Sequence, residues 1–224
     1  MILSETRAEE FHELLAALRA FQITTTMIRS AGKNESDIPK LLQQQLEPLG
    51  WYETIVQGDL VVNLHWKEQV GLIEKGKQKG KPKYQRQSKE LVRKKYLDGH
   101  KIDYVKNRVA FDVEWNSKDQ TFDRDLYAFS AFAHCGVIDV GVLLTRSASL
   151  NPVFRDLGQA LKKDGKTLEF KDRDNTIPRM TYQKYGASTT WMGKLLYRLN
   201  AGRNGGCPVL AIGITPKCIA DWRA

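Results

Sequence analysis

No stretch of the 224-residue chain holds enough uninterrupted apolar residues to cross a bilayer as a helix. The apolar residues near the amino terminus meet Glu and Arg too soon for a signal peptide, so the expectation is a cytoplasmic protein. Cysteine is scarce: Cys135, Cys207 and Cys218 are odd in number and have no ligand-like spacing with the four histidines. That argues against a zinc site and leaves buried thiols as the expectation. Acids are outnumbered, 26 Asp and Glu against 35 Lys and Arg, for a net charge of +9. Such a balance suits nucleic acid, an anionic membrane surface, or no specific partner at all. The membrane is the weakest of these, because no strongly amphipathic basic helix carries an apolar insertion face. Internal repeats and low-complexity tails are absent as well.

What is there suffices for one globular domain spanning residues 1–224, with 42% hydrophobic residues for its core. The first 50 residues read as helices. Phe11, Leu14, Leu15 and Leu18 recur at helical spacing in 6–20, and a second helix starts near Asp37 with Pro39 in its first turn and stops before Pro48 and Gly50. An α/β core follows from residue 51. WYETIV and DLVVNLHW predict two short strands around Gly58. Residues 75–95, KGKQKGKPKYQRQSKELVRKK, are basic and lead into an expected helix from Ser88. A run of this kind is either a solvated loop or an arm that orders against phosphates.

KIDYV and VAFDVEWN flank the turn-like KNR and predict a hairpin. DLYAFSAFAHCG predicts a helix with Asp123 as N-cap and Gly136 as its stop, and His134 as a core histidine within it. The near-continuous apolar run VIDVGVLLT then predicts a strand covered on both faces, completing a βαβ crossover. Helices are expected at 152–162 and in STTWMGKLLYRLNAG, the latter capped by Ser or Thr. The Gly-rich GRNGGCP feeds a last strand, VLAIGIT. The fold class is α/β, a mixed central sheet flanked by helices.

Alternation along VAFDVEWNSK puts Val109, Phe111, Val113 and Trp115 on one face and Asp112, Glu114 and Asn116 on the other. Any even-numbered turn brings Asp103 of the preceding strand to that acidic face. Setting Asp103 against Glu114 requires a loop longer than two residues or a bulge, and that arrangement is expected here. Carboxylates so gathered repel unless a cation lies between them, and oxygen donors of this kind suit Mg²⁺. The competing explanation is a wet strand edge.

IDYVKNRVAFDVEWNSKDQTFDRDL resembles the active-site hairpin of type II restriction endonucleases of the BglII/BstYI family, within the PD-(D/E)XK nuclease class. KYGASTTWMGKLLYRLNAGRNGGCPVLAIGI extends the resemblance, which covers the second half of the chain well and the amino-terminal helices loosely. It implies a restriction-endonuclease-like core in which Asp103 and Glu114 bind the metal with the backbone carbonyl of Trp115. Asn116 stands where the class has Lys and this family Gln. An amide cannot act as a base, so Asn116 would orient the attacking water. Asp112 matches no ligand position and stays outside this set, as do His100 and His134. Arg124 and Asp125 either support the site or simply open the next helix.

DNA contacts are expected from Lys118, Lys184, Tyr185, Ser188, Thr189, Thr190, Lys194, Arg198, Arg203 and Asn204. The implied activity is Mg²⁺-dependent hydrolysis of double-stranded DNA at a short, palindromic site, with Mn²⁺ as substitute metal, 5′-phosphate ends and a homodimer mirroring the palindrome. Such an enzyme would belong to a restriction-modification system. A repair or structure-selective nuclease of the same fold, or a non-catalytic DNA-binding protein, remains an alternative.

Overall fold

The computed structural model describes residues 2–30 and 37–222. Its elements run α1 (Ile2–Thr6), α2 (Ala8–Ala20), α3 (Thr25–Ser30), α4 (Asp37–Leu46), β1 (Tyr52–Leu72), β2 (Pro82–Lys106), β3 (Val109–Glu114), α5 (Thr121–His134), β4 (Val140–Arg146), α6 (Leu150–Asp156), α7 (Met192–Asn200) and β5 (Val209–Ile214). The five strands form one mixed sheet in the order β1-β2-β3-β4-β5. β2 is antiparallel to β3, while β3, β4 and β5 are parallel. The chain divides into two compact units, Met1–Thr54 with Lys101–Ala224, and Ile55–His100.

In the first unit β3 and β4 are buried along their whole length. Val109, Phe111 and Val113 point into a core shared with Leu14, Ile28, Ile38, Leu42 and Trp51 from the amino-terminal segments. The opposite face of the sheet lies under α5. Gly141 of β4 shows how closely that helix approaches, since a Cβ there would stand 2.3 Å from Cδ2 of Phe129. α5 is the crossover of a β3-α5-β4 unit, as the apolar pattern predicts.

The second unit is a long hairpin. Ile73 N–H donates to Lys81 O and Gly80 N–H to Ile73 O across its turn, and Gln87 and Lys95 of β2 reach Glu68 and Asp59 of β1. Pairing that runs backwards along β1 as β2 advances makes the two strands antiparallel.

Several local expectations are corrected. The two short strands around Gly58 are one continuous strand, and the helix expected from Ser88 is strand as well. Pairing with β1 offers that segment a hydrogen-bonding ladder that outweighs its helical propensity. α5 starts at Thr121, so Asp123 sits in the first turn and is not the cap; its carboxylate goes to Arg198 and Arg203 instead. α6 ends at Asp156 rather than 162, because Gly158 turns with φ +66° and the chain leaves into bridges such as Gln159 with Met180. The N-cap of α7 is the extended Trp191, with no Ser or Thr hydroxyl on its N–H groups. His134 and Cys135 are exposed, and Cys207 alone of the three thiols is buried. Among the described residues no helix is long and apolar enough to cross a membrane.

Candidate active site

The turn between β2 and β3 is tight. Lys106 pairs with Val109, Val105 with Ala110 and Tyr104 with Phe111, leaving only Asn107 and Arg108 in the loop. Asn107 takes φ +49°, which asparagine tolerates better than most residues, and its amide donates to Glu10 of α2. Lys106 is tied to Glu13 of the same helix at 2.6 Å, so the hairpin is anchored from below. The same register carried one step further sets Asp103 against Asp112, not against Glu114. The longer loop or bulge expected from the sequence is absent. Side chains replace the ladder at this step: Asp103 N–H donates to Asp112 Oδ1 at 2.8 Å, and Val113 N–H donates to Asp103 Oδ2 at 3.0 Å.

Neither acid of β3 is wet. Asp112 is 4% and Glu114 8% exposed, because α5 lies over their face. Asp125 comes down from α5, bringing a carboxylate oxygen within 4.8 Å of Asp112. Glu114 accepts from Thr121 Oγ1 at 3.2 Å, and its backbone carbonyl accepts from the hydroxyls of Thr145 and Thr190. Burial pushes all four carboxyls above their ordinary range, and each feels the charge of at least one other. Asp112 is raised well above it, with Asp125, Asp103 and Glu114 adding to the burial. Asp125 reaches about 8, through burial and then Glu114. Hydrogen bonds from Val113 N–H to Asp103 and from Ser117 and Thr121 to Glu114 oppose this, and Arg124, whose side chain is 63% exposed, favours the charged forms of Asp103, Glu114 and Asp125.

Asp112 Oδ2 is buried with no hydrogen-bond partner. A buried carboxylate oxygen without a donor is costly; the raised proton affinity of Asp112 offsets that cost in one way, and a divalent cation with oxygen preference does so in another. The unpartnered oxygen of Asp112, with other carboxylates beside it, therefore fits a hard cation. The Trp115 carbonyl is engaged elsewhere, accepting from Arg146 Nε at 2.6 Å, and Asn116 Nδ2 donates to Lys184 O at 3.1 Å.

The model of the family restriction endonuclease BglII/BglIII matches residues 1–214. The chain belongs to this family. No protein of curated function matches it. Membership in the BglII/BglIII family makes the chain a restriction endonuclease by lineage, with a restriction-endonuclease fold and DNA as its substrate. The match takes in the amino-terminal helices, beyond the second half that the motifs alone cover well.

Most side chains named from the sequence as DNA contacts of this BglII/BglIII-family chain bond to other groups of the fold, and Lys184, Tyr185, Thr190 and Arg198 are also sheltered from solvent. Lys184 is 5% exposed, with Nζ on Glu169 and on the carbonyls of Arg29 and Leu161. Tyr185 is buried and donates to Ile28 O. Thr189 and Thr190 join their segment to Gly186 O and Glu114 O, and both accept from Arg146. Arg198 and Arg203 clamp Asp123, Lys194 lies 3.4 Å from Asp119, and Asn204 closes its own turn onto Cys207 O. Lys118 and Ser188 are exposed.

Two groups beside the site have a sequence signal: Asp125, which the sequence leaves between supporting the site and opening the helix, and Arg146, which is not among the residues named above from the sequence. Asp125 lies on the apolar stripe of α5 formed by Phe122, Leu126 and Phe129, where a carboxylate needs a reason. Arg146 closes the buried strand β4, stacks over Tyr185 at 4.9 Å and Phe154 at 5.5 Å, and holds the end of β3 by its bond to Trp115 O.

Proposed function

We propose that the chain is a Mg²⁺-dependent type II restriction endonuclease that hydrolyses double-stranded DNA at a short palindromic sequence, leaves 5′-phosphate ends and works as a homodimer. The observation that carries this reading is the cluster of half-buried Asp103 with buried Asp112, Glu114 and Asp125 on the β2-β3 hairpin and α5, with one Asp112 oxygen lacking a hydrogen-bond partner. Asp103 and Asp112 are the pair that would hold the metal. When bound, Mg²⁺ offsets charge on the reacting phosphate and makes water a better nucleophile.

The chain's own groups supply the rest. Glu114, fixed by Thr121 and by the braces on its carbonyl, takes the role first given to Asn116. It orients the attacking water and, as a carboxylate rather than an amide, also accepts its proton. Asn116 holds the 184–191 segment through Lys184 O. Arg124, exposed beside the cluster, meets the scissile phosphate as a cation.

The deciding experiment is digestion of unmethylated phage DNA with Mg²⁺, with EDTA, and with Asp112→Asn and Asn116→Ala in parallel. Discrete fragments that need the metal and Asp112, and persist at reduced rate in Asn116→Ala, are expected. Intact DNA in every lane together with a clear gel shift would sink the reading and leave a DNA-binding protein. Mn²⁺ is expected to replace Mg²⁺ in the same assay.

A further inference from the structure

The charge that makes this protein basic is not spread evenly. Residues 55–100 contain eleven Lys and Arg against five Asp and Glu, whereas the remaining residues contain 24 against 21. The unit with the acidic cluster is thus close to neutral, and many of its cations are committed to its own acids and carbonyls, as Lys106, Arg108, Lys184 and Arg198 are. In the second unit Lys75, Lys77, Lys79, Lys81 and Lys83 alternate through the hairpin turn, and Arg86, Lys89, Arg93, Lys94 and Lys95 continue along β2. All ten are exposed.

We infer that the β1-β2 ribbon is a sequence-independent DNA-backbone clamp whose turn lysines contact phosphates. This rests on the reading of DNA as the substrate, but not on the chemistry of the acidic cluster. Charge complementarity selects the occupant. A second copy of the ribbon would bring the same surplus of positive charge against it, while a duplex presents one phosphate charge for every ~1.7 Å of its axis. The strands are long: the 18 residues from Ile55 to Leu72 span about 60 Å at ~3.3 Å each, more than one turn of duplex. The ribbon is already built as strand, so little ordering entropy opposes binding compared with a disordered basic tail.

The test uses the full-length protein in EDTA and a fluorescent duplex of about three helical turns. Affinity is measured by anisotropy between about 50 and 200 mM salt for wild type and for the variant with Lys75, Lys77, Lys79, Lys81 and Lys83 replaced by Gln. A control variant replaces exposed Lys162, Lys163, Lys166, Lys171 and Lys217 in the same way. Each lost phosphate contact lowers the slope of log K against log salt by about 0.9, so the turn variant is expected to lose about 2–4 from the slope and about a hundredfold in affinity. The loss should be equal on duplexes of unrelated sequence. A turn variant indistinguishable from wild type, or a loss no greater than that of the control, overturns the clamp. So does the finding that Trp66→Ser dissociates an oligomer while the turn variant binds DNA normally, which would make the ribbon a protein interface.

Cleavage in Mg²⁺, scored on the same proteins, separates the two readings. Wild-type cutting with an unchanged slope defeats only the clamp, and a reduced slope without cutting by wild type defeats only the nuclease.

Discussion

β3 and β1 carry similar alternating patterns and meet opposite fates. All six residues of VAFDVE are buried, including two acids. In β1, Leu60, Val62, Leu64, Trp66 and Val70 share one face by alternation, yet each is exposed, Trp66 to 46%. Alternation says which residues share a face. It does not say whether anything covers that face. β3 has a strand on either side, the amino-terminal core beneath and α5 above. Among the described residues of the ribbon, only occasional side chains such as Val56 are more than partly sheltered. The contrast extends to charge: the body hides carboxylates, and the ribbon displays ammonium groups.

The sharpest way to break this division is to exchange its consequences. Asp112→Asn is expected to lower kcat by about a thousandfold or more, because it removes one of the two carboxylates assigned to the metal. Trp66→Ser on the ribbon is expected to leave kcat at saturating DNA within about twofold, since a mutation of this kind acts on binding if it acts at all. Single-turnover cleavage at high enzyme concentration measures both. Equal losses would mean that the ribbon takes part in the chemical step.

Stability should divide in the same way. Phe129→Ala empties the space over Gly141 and is expected to cost about 3–5 kcal/mol in urea unfolding. Gly141→Ala, which forces a methyl against the same ring, should cost about 1–3 kcal/mol. Val62→Ser on the exposed ribbon face should change stability by less than about 0.5 kcal/mol. A ribbon substitution as costly as Phe129→Ala would show that its apolar face is covered in solution.

Hydrogen exchange sharpens the comparison without mutation. A two-stranded hairpin with no core of its own is marginal in water, so amides of 55–100 should exchange through local opening, well before those of β3 and β4. Comparable protection in the two units would contradict that.

The smallest effect is electrostatic. Asp139 is held down at about 2 by Arg108 and then Arg7, below the ordinary carboxylate value of 3.8. A carboxyl lowered on folding stabilises the native state fully above its unfolded value and loses that contribution as pH falls towards the folded one. Asp139→Asn should therefore flatten the stability profile between about pH 4 and 2, by less than about 1 kcal/mol for so accessible a pair. An unchanged profile would show that the pair contributes nothing in solution.

Much of this protein was legible as a string. KNR between two alternating runs specified the hairpin, apolar VGVLLT specified a strand covered on both sides, and the spacing of the two with α5 specified the crossover. Parity alone placed Asp103, Asp112 and Glu114 on one face, because any even turn has that result. What alternation could not supply was register. Whether Asp103 meets Asp112 or Glu114 depends on two residues of loop, and those were settled by the bonds of Asn107 and Lys106 to α2, about a hundred residues upstream. Nor could it show that Lys184 and Arg198 satisfy acids inside the fold, since a basic side chain reads the same whether its partner is a phosphate or a distant Asp. The sequence by itself determined the elements, the shared acidic face and the concentration of positive charge in 55–100, because these follow from local periodicity and composition. Tertiary structure decided which carboxylates meet, which are denied water by α5 and which cations stay exposed, because each depends on what the fold sets beside them.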